Sequence, residues 1–242
     1  MAAHAQGGLV KLLAIDTATE ACSVALWLDG AVHERFERAG REHSQRLLPM
    51  LRELTADCGI ALAQLDGIAC GIGPGSFAGV RIGVGFVKGL ALGLDRPVLP
   101  VTSLAMLAQG SIRQHGSTAV LAAIDARMHE VYYQAFAAVD GLAVAQGEAQ
   151  VIAPALLELP QAGRYAAAGS GWHTHGAALR VRTTAALDPL EDAALPQAQD
   201  ALRLVARAFA AGQGLPAGEL QPLYLRNRVA LTKAEQEATR KR

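Results

Sequence analysis

The chain states one plan twice. Ala14-Ile15-Asp16, a polar turn (TATE) and an alternating strand from Cys22 to Leu28 are echoed by Ala123-Ile124-Asp125, the segment ARMHE and the run VYYQAFAA. The hairpin signal Asp29-Gly30 recurs as Asp140-Gly141. IACGIGPGS and RYAAAGSGW both read as a buried strand that enters a glycine turn. The shared order of elements carries more weight than the few shared identities. It predicts an α/β protein of two lobes, each built on a βββαβα unit.

Between these landmarks the periodicity fills in the elements. HSQRLLPMLRELTADCG places Leu47, Leu48, Leu51 and Leu54 at helical spacing with Gly59 as a stop, giving a helix over 44–58. Pro49 is tolerated there in the first turn and otherwise kinks the helix. A second helix is expected over 77–94, then the strand RPVLPVTS and the helix SLAMLAQGSIRQ. The second lobe reads as eroded, because Ala185 to Pro196 lacks periodicity. DALRLVARAFAAG forms a terminal helix that stops at Gly212, and KAEQEATRKR is a polar tail. The expected division is a first lobe over 1–105, a reduced second lobe over 106–198, and a C-terminal helix and segment over 199–242 that packs back.

Composition limits the classes of function. With 51% hydrophobic residues in 242, the chain has ample material for a core and is not a disordered segment. Lys+Arg and Asp+Glu both total 22, which excludes a strongly basic nucleic-acid module. Any RNA would be reached through a partner. Arg226, Arg228, Lys233, Arg240, Lys241 and Arg242 read as a solvated tail. Cys22, Cys58 and Cys70 are scattered and odd in number, which suits a reducing compartment and no disulfide framework. MAAHAQGG lacks a signal-peptide pattern, and Val80 to Leu94 carries Arg81 and Lys88 and is too short for a bilayer. The expectation is a soluble cytoplasmic protein without membrane contact.

The strongest local signal is GIGPGSFAGVRIG, from Gly71 to Gly83. It follows a strand and opens a helix, where free N–H groups favour an anion. It is neither a Walker A loop, nor Gly-x-Gly-x-x-Gly, nor a Gly-x-Ser-x-Gly elbow. Phosphate contact at Gly73, Gly75 and Ser76 and a tight structural turn both remain open. The helix that follows is itself unusual. Gly79 and Gly83 are four apart, and Gly85, Gly89 and Gly93 continue at that step. Each interior glycine costs roughly 1 kcal/mol relative to alanine, so close approach of another backbone must offset it. The glycines meet either the protein's own sheet or another chain, the latter through a helix–helix interface that uses the opposite side with Val80, Val84 and Val87.

Catalytic side chains are sparse. Asp16 and Asp125 end equivalent strands, where paired carboxylates could hold a metal–phosphate across a cleft. Asp at a strand end more commonly caps a turn, and that reading is preferred. His173-x-His175 suits a surface turn better than a metal site, and there is no His-x-x-x-His anywhere. His43 precedes the cap candidate Ser44, while Cys58 and Cys70 read as small buried apolar residues. An ATPase or phosphotransferase working through Asp16 and Asp125 is the alternative function, and a metal-dependent peptidase lacks its histidine pair.

Three stretches together resemble the TsaB family, also called YeaZ: AIDTATEACSVAL at 14–26, REHSQRLLP at 41–49 and GIGPGSFAGVRIGVGFVKGLA at 71–91. PVTSL at 100–104 and PLYLRN at 222–227 add to it, whereas 140–215 resembles it only thinly. The resemblance implies the two-lobed fold shared by actin and sugar kinases (ASKHA). It also implies a non-catalytic subunit of the machinery that forms threonylcarbamoyladenosine at position 37 of tRNA. Its partners would be the catalytic subunit TsaD, whose His-x-x-x-His metal motif this chain lacks, and the ATPase TsaE. ATP and metal would then belong to those partners, with no cofactor bound by this chain alone. Docking would use the helices at 44–58 and 77–94, through Leu47, Leu51, Val80, Arg81, Val84, Gly85, Val87 and Lys88. The same surface would form a homodimer when the chain is alone. Ala78 departs from the family motif, which more often has Thr, and weakens the case for a polar ligand at the turn.

Overall fold

A computed structural model describes residues 10–226. The tail residues Arg228, Lys233, Arg240, Lys241 and Arg242, and the leading MAAHAQGG, lie outside the described residues. Two five-stranded sheets carry the repeat. The first contains β1 (Leu12–Asp16), β2 (Ala21–Leu28), β3 (Ala31–Arg38), β4 (Gly67–Gly71) and β5 (Val98–Val101), in the order β3-β2-β1-β4-β5. The second contains β6 (Ala119–Asp125), β7 (Val131–Val139), β8 (Leu142–Ile152), β9 (Arg164–Ala168) and β10 (Ala186–Glu191), in the order β10-β9-β6-β7-β8. Replacing each strand of one sheet by its counterpart five places later gives the other. This is a two-lobed α/β architecture.

Five helices surround the sheets. They are α1 (His43–Asp57), α2 (Phe77–Leu94), α3 (Ser103–His115), α4 (Ser170–Arg180) and α5 (Ala198–Ala210). The full repeat is therefore one strand and one helix longer than βββαβα. The second copy lacks a counterpart of α1, since β8 leads to β9 through only a short 3₁₀ turn at Pro154–Leu156. The segment Ala185–Pro196, irregular as sequence, supplies β10 at the sheet edge.

Both Asp-Gly hairpins form as the dipeptides require. Asp29 and Gly30 have φ of 52° and 85°, and Asp140 and Gly141 have 52° and 76°. Positive φ at both central residues is the turn whose twist matches the flanking strands. Strand β1 is wholly buried at the centre of its sheet, pairing antiparallel with β2 and parallel with β4.

The cores set the layering. On one face of the first sheet, Leu47, Met50 and Leu51 of α1 and Val80, Val84 and Val87 of α2 pack on Leu13, Ile15 and Ile68. The other face meets Ala201, Leu202 and Val205 of α5 and Met106 of α3. Leu104, Leu107 and Ile112 of α3 pack on the second sheet, whose far face buries Trp172 and Leu179 of α4. The order is α1 and α2, first sheet, α3 and α5, second sheet, α4. Helix α5 follows the second sheet in sequence yet returns to the first, and α3 runs through the boundary expected at residue 105 and packs on both sheets.

Candidate partner-binding face

Helix α2 is positioned by its first two turns. The Ser76 hydroxyl caps it, accepting from Gly79 N at 3.3 Å. Ser76 N donates to Ala18 O at 2.6 Å, and the Thr17 hydroxyl donates to Gly79 O at 2.7 Å. The chain approaches itself so closely here that side chains do not fit. A Cβ on Gly75 would lie 2.0 Å from Ala18 O, and one on Gly79 would lie 2.2 Å from Thr17 O. The candidate anion turn is thus closed on its own backbone. Gly73, with φ of +90°, uses its carbonyl to accept from Ser103 N at 2.8 Å. These contacts give Gly73, Gly75 and Ser76 a structural role.

The glycines of α2 form two stripes rather than one. Gly79 and Gly83 are buried against Thr17, whereas a Cβ on Gly85, Gly89 or Gly93 would meet nothing within 4 Å. The two-residue step from Gly83 to Gly85 turns the helix by about 200°, so the stripes lie on opposite faces. Here the structure corrects the sequence reading. Leu47, Leu51, Val80, Val84 and Val87 are at most 4% exposed and belong to the core of their own lobe. Arg81 and Gly85 are exposed and Lys88 is half-buried. The outward face of α2 also presents Phe77, 64% exposed, and Leu92, 67% exposed, with Leu48 exposed on neighbouring α1.

At the start of α2 the exposed aromatic is organised. The Arg81 guanidinium lies 3.3 Å from the centre of the Phe77 ring and 4.9 Å from that of Tyr224. Such stacking fixes a cation among apolar groups without neutralising it. Tyr224 is held there by its neighbour, because Leu223 N donates to Ile72 O at 2.9 Å. Sequence reading missed Phe77 and Tyr224. The only available signal was that both are large aromatics in a chain with few.

The two strand-end aspartates behave as turn caps. Asp16 Oδ2 accepts from Ala18 N at 3.3 Å, and Asp125 Oδ1 accepts from Arg127 N at 3.0 Å. Asp16 is fully buried, and burial pushes its carboxyl up to about 7 against the lowering effect of the Ala18 N–H. Its Oδ1 has no partner among the described residues and sits where a Cβ on Gly71 would go. Asp125 is engaged by Arg127 at 3.1 Å and His175 at 3.2 Å. A fully buried carboxylate packed against Gly71 and one already paired do not form a metal–phosphate clamp. His173 and His175 lie on helix α4 rather than a surface turn, and they pair with different acids, Asp192 and Asp125. Among the described residues no three His, Cys, Asp or Glu side chains are grouped to hold a metal. Burial also pushes the Cys22 thiol up to about 12 and raises Cys70, as expected of inert core cysteines.

Comparison with known proteins decides the family. Residues 33–189 match the family model described as TsaD: tRNA N6-adenosine threonylcarbamoyltransferase. The tRNA threonylcarbamoyladenosine biosynthesis protein TsaB of Escherichia coli K12 is 42% identical over 229 residues, covering 93% of this chain and 98% of that protein. The chain belongs to the TsaB family. TsaB of Haemophilus influenzae is 39% identical over 235 residues, covering 93% of this chain and 97% of its own length. The solved structure of YeaZ from Pseudomonas aeruginosa superposes with a TM-score of 0.83 at 43% identity, covering 89% of this chain and all of that one. For a TsaB-family chain, the outward glycine stripe of α2 is then the feature that its own packing leaves unexplained.

Helix α2 is also the one helix among the described residues long and apolar enough to cross a membrane by length and composition. Its inward stripe is committed to the core of the first lobe. Its outward stripe is small and flat.

Proposed function

We propose that this chain is the accessory subunit in forming threonylcarbamoyladenosine at position 37 of tRNA, acting without a catalytic centre of its own. It docks on the catalytic subunit TsaD, is joined by the ATPase TsaE, and works in the cytoplasm. ATP and metal belong to those partners, and tRNA is reached through the assembled complex. The docking face is the outward side of α1 and α2. When the chain is alone, a second copy occupies that face.

The observation that carries this reading is the exposed row Gly85, Gly89 and Gly93, none of which has a neighbour within 4 Å of a built Cβ. In a solvent-facing helix, each costs roughly 1 kcal/mol and gives nothing back within the chain. A partner helix that lays its backbone along the row supplies the offsetting gain. Flanking Phe77, Leu92 and Leu48 give it an apolar margin, and Arg81 a fixed cation.

The test is reconstitution of TsaD, TsaE, threonylcarbamoyl-adenylate supply, ATP and tRNA, with and without this chain, reading modified adenosine by mass spectrometry. Product is expected only with the chain present. Equal product without it rejects the accessory role. Gly89→Arg is expected to abolish association with TsaD while the chain still folds, and retained association would show the face to be wrongly placed. Val84→Arg is no substitute, because Val84 is core.

A further inference from the structure

A groove of about 690 Å³ opens on the side of the molecule where both lobes meet, away from the outward faces of α1 and α2. Its walls come from both sheets and the two helices between them: Leu12 and Trp27 from the first sheet, Ile112 from α3, Leu142 from the second sheet and Ala206 from α5. This volume suits one small organic molecule rather than a single water.

The wall is apolar where it could have been polar. Gln109 reaches the lining, but both ends of its amide are spent on the β7–β8 turn, donating to Gly141 O at 3.0 Å and accepting from Ala143 N at 2.9 Å. The charges are gathered instead as arginines. Arg113, Arg203 and Arg207 all line the groove. Arg113 is satisfied, gripping Asp200 through Nε at 2.8 Å and Nη2 at 3.0 Å. Arg207 approaches Asp140 only at 3.9 Å, with both side chains largely exposed. Arg203 is different: its Nε is buried and has no hydrogen-bond partner among the described residues. The Arg203 guanidinium makes no hydrogen bond among the described residues and lines the groove, and its planar fork of donors suits a carboxylate. Of the three guanidinium groups only that of Arg203 makes no ion pair among the described residues, although its charge reaches Asp200 and that of Arg113 also reaches Glu34.

We propose that this groove binds a small amphiphilic monoanion, an aliphatic carboxylate whose chain lies on Leu12, Ile112, Leu142 and Ala206 and whose head pairs with Arg203. The aliphatic walls favour a chain over a nucleobase, with Trp27 closing one side. A ligand seated there touches both sheets and the two helices between them, so it ties the lobes together. Nothing in this proposal depends on the accessory role or on the glycine face.

The probe is decanoate, kept below its micelle concentration and titrated calorimetrically into the full chain. A saturable signal of one molecule per chain is expected, with a rise in unfolding temperature on addition. 1-Decanol, which has the chain without the charge, is expected to bind at least tenfold more weakly. Arg203→Leu should weaken decanoate at least tenfold. Ala206→Trp, which fills the cavity and leaves all three arginines, should abolish binding even if the arginine variant fails to fold. Arg52→Leu, on the exposed side of α1, should leave binding unchanged. No saturable decanoate signal, equal binding of 1-decanol, or full binding by Ala206→Trp overturns the proposal. Displacement of decanoate by equimolar adenosine monophosphate overturns its aliphatic assignment.

Discussion

The Thr17 hydroxyl donates to the Gly79 carbonyl at 2.7 Å, tying the turn after β1 to the first turn of α2. The two segments are 62 residues apart in sequence and meet with no room for a side chain. Gly79→Ala places its Cβ 2.2 Å from Thr17 O, so helix and turn must separate. A destabilisation of about 3 kcal/mol or more is expected, at the upper end for overpacking. Urea unfolding of the variant against wild type measures it.

The outward glycines should respond with the opposite sign. Gly89→Ala adds a methyl group in open space and is expected to stabilise the isolated chain by about 0.5–1 kcal/mol. The same variant is expected to weaken association with TsaD, because the methyl group stands on the face proposed for the partner backbone. Thermal unfolding and a pull-down on one preparation separate the two effects. A stabilised variant with unchanged association would remove the reason for the stripe.

Asp16 makes stability depend on pH. Its carboxyl titrates near 3.8 when exposed and at about 7 when folded. Between those values the folded chain holds a proton that the unfolded chain releases, so this group's contribution is fully present below about pH 4 and is lost as pH rises through about 7. The span corresponds to something on the order of 4 kcal/mol. The neighbouring Cys22 and Cys70 thiols stay neutral across this window and do not mask it. Asp16→Asn keeps the shape and removes the titration. Its stability advantage over wild type is expected to grow from pH 5 to pH 7.5, read by denaturant unfolding at each pH.

Arg127, Met128 and His129 have φ of 59°, 54° and 60°, three left-handed residues in succession without glycine. Each costs on the order of 1 kcal/mol, so the loop persists only where neighbours fix it. Arg226 supplies much of that, donating to Ala126 O at 3.1 Å and Met128 Sδ at 3.3 Å and pairing with Glu130. Arg226→Ala is expected to cost about 1–2 kcal/mol and to speed amide exchange across Ala126–Glu130. Hydrogen-exchange mass spectrometry localises the change.

What could be read from the sequence was what is local. The meanders, both Asp-Gly turns and the bounds of α1 and α2 follow from patterns a few residues long, and the structure forms them there. The repeat was visible for the same reason. The side of α2 that faces outward was misread, because counting glycines in steps of four passed over the two-residue break at Gly85. Strand β10 escaped notice because its sequence ALDPLE includes a proline and charges, which only an edge strand accepts. The groove was illegible altogether. Residues 12, 27, 112, 142 and 206 converge because α3 packs between the sheets and α5 returns to the first, non-local events with no signature in any window.

That return has a consequence for synthesis. The core beneath α1 and α2 includes Ala217 and Leu220, and β5 is bridged by Leu215, which exchanges hydrogen bonds of 2.9 and 2.8 Å with Val98. The other face of the same sheet waits for α5. A ribosome that has translated the whole first lobe therefore carries an unfinished one. Its opposite number can close its own far face with α4 much earlier in elongation. Helices α1 and α2 are thus made early and matured late, gaining the last of their supporting core only when Ala217 and Leu220 arrive.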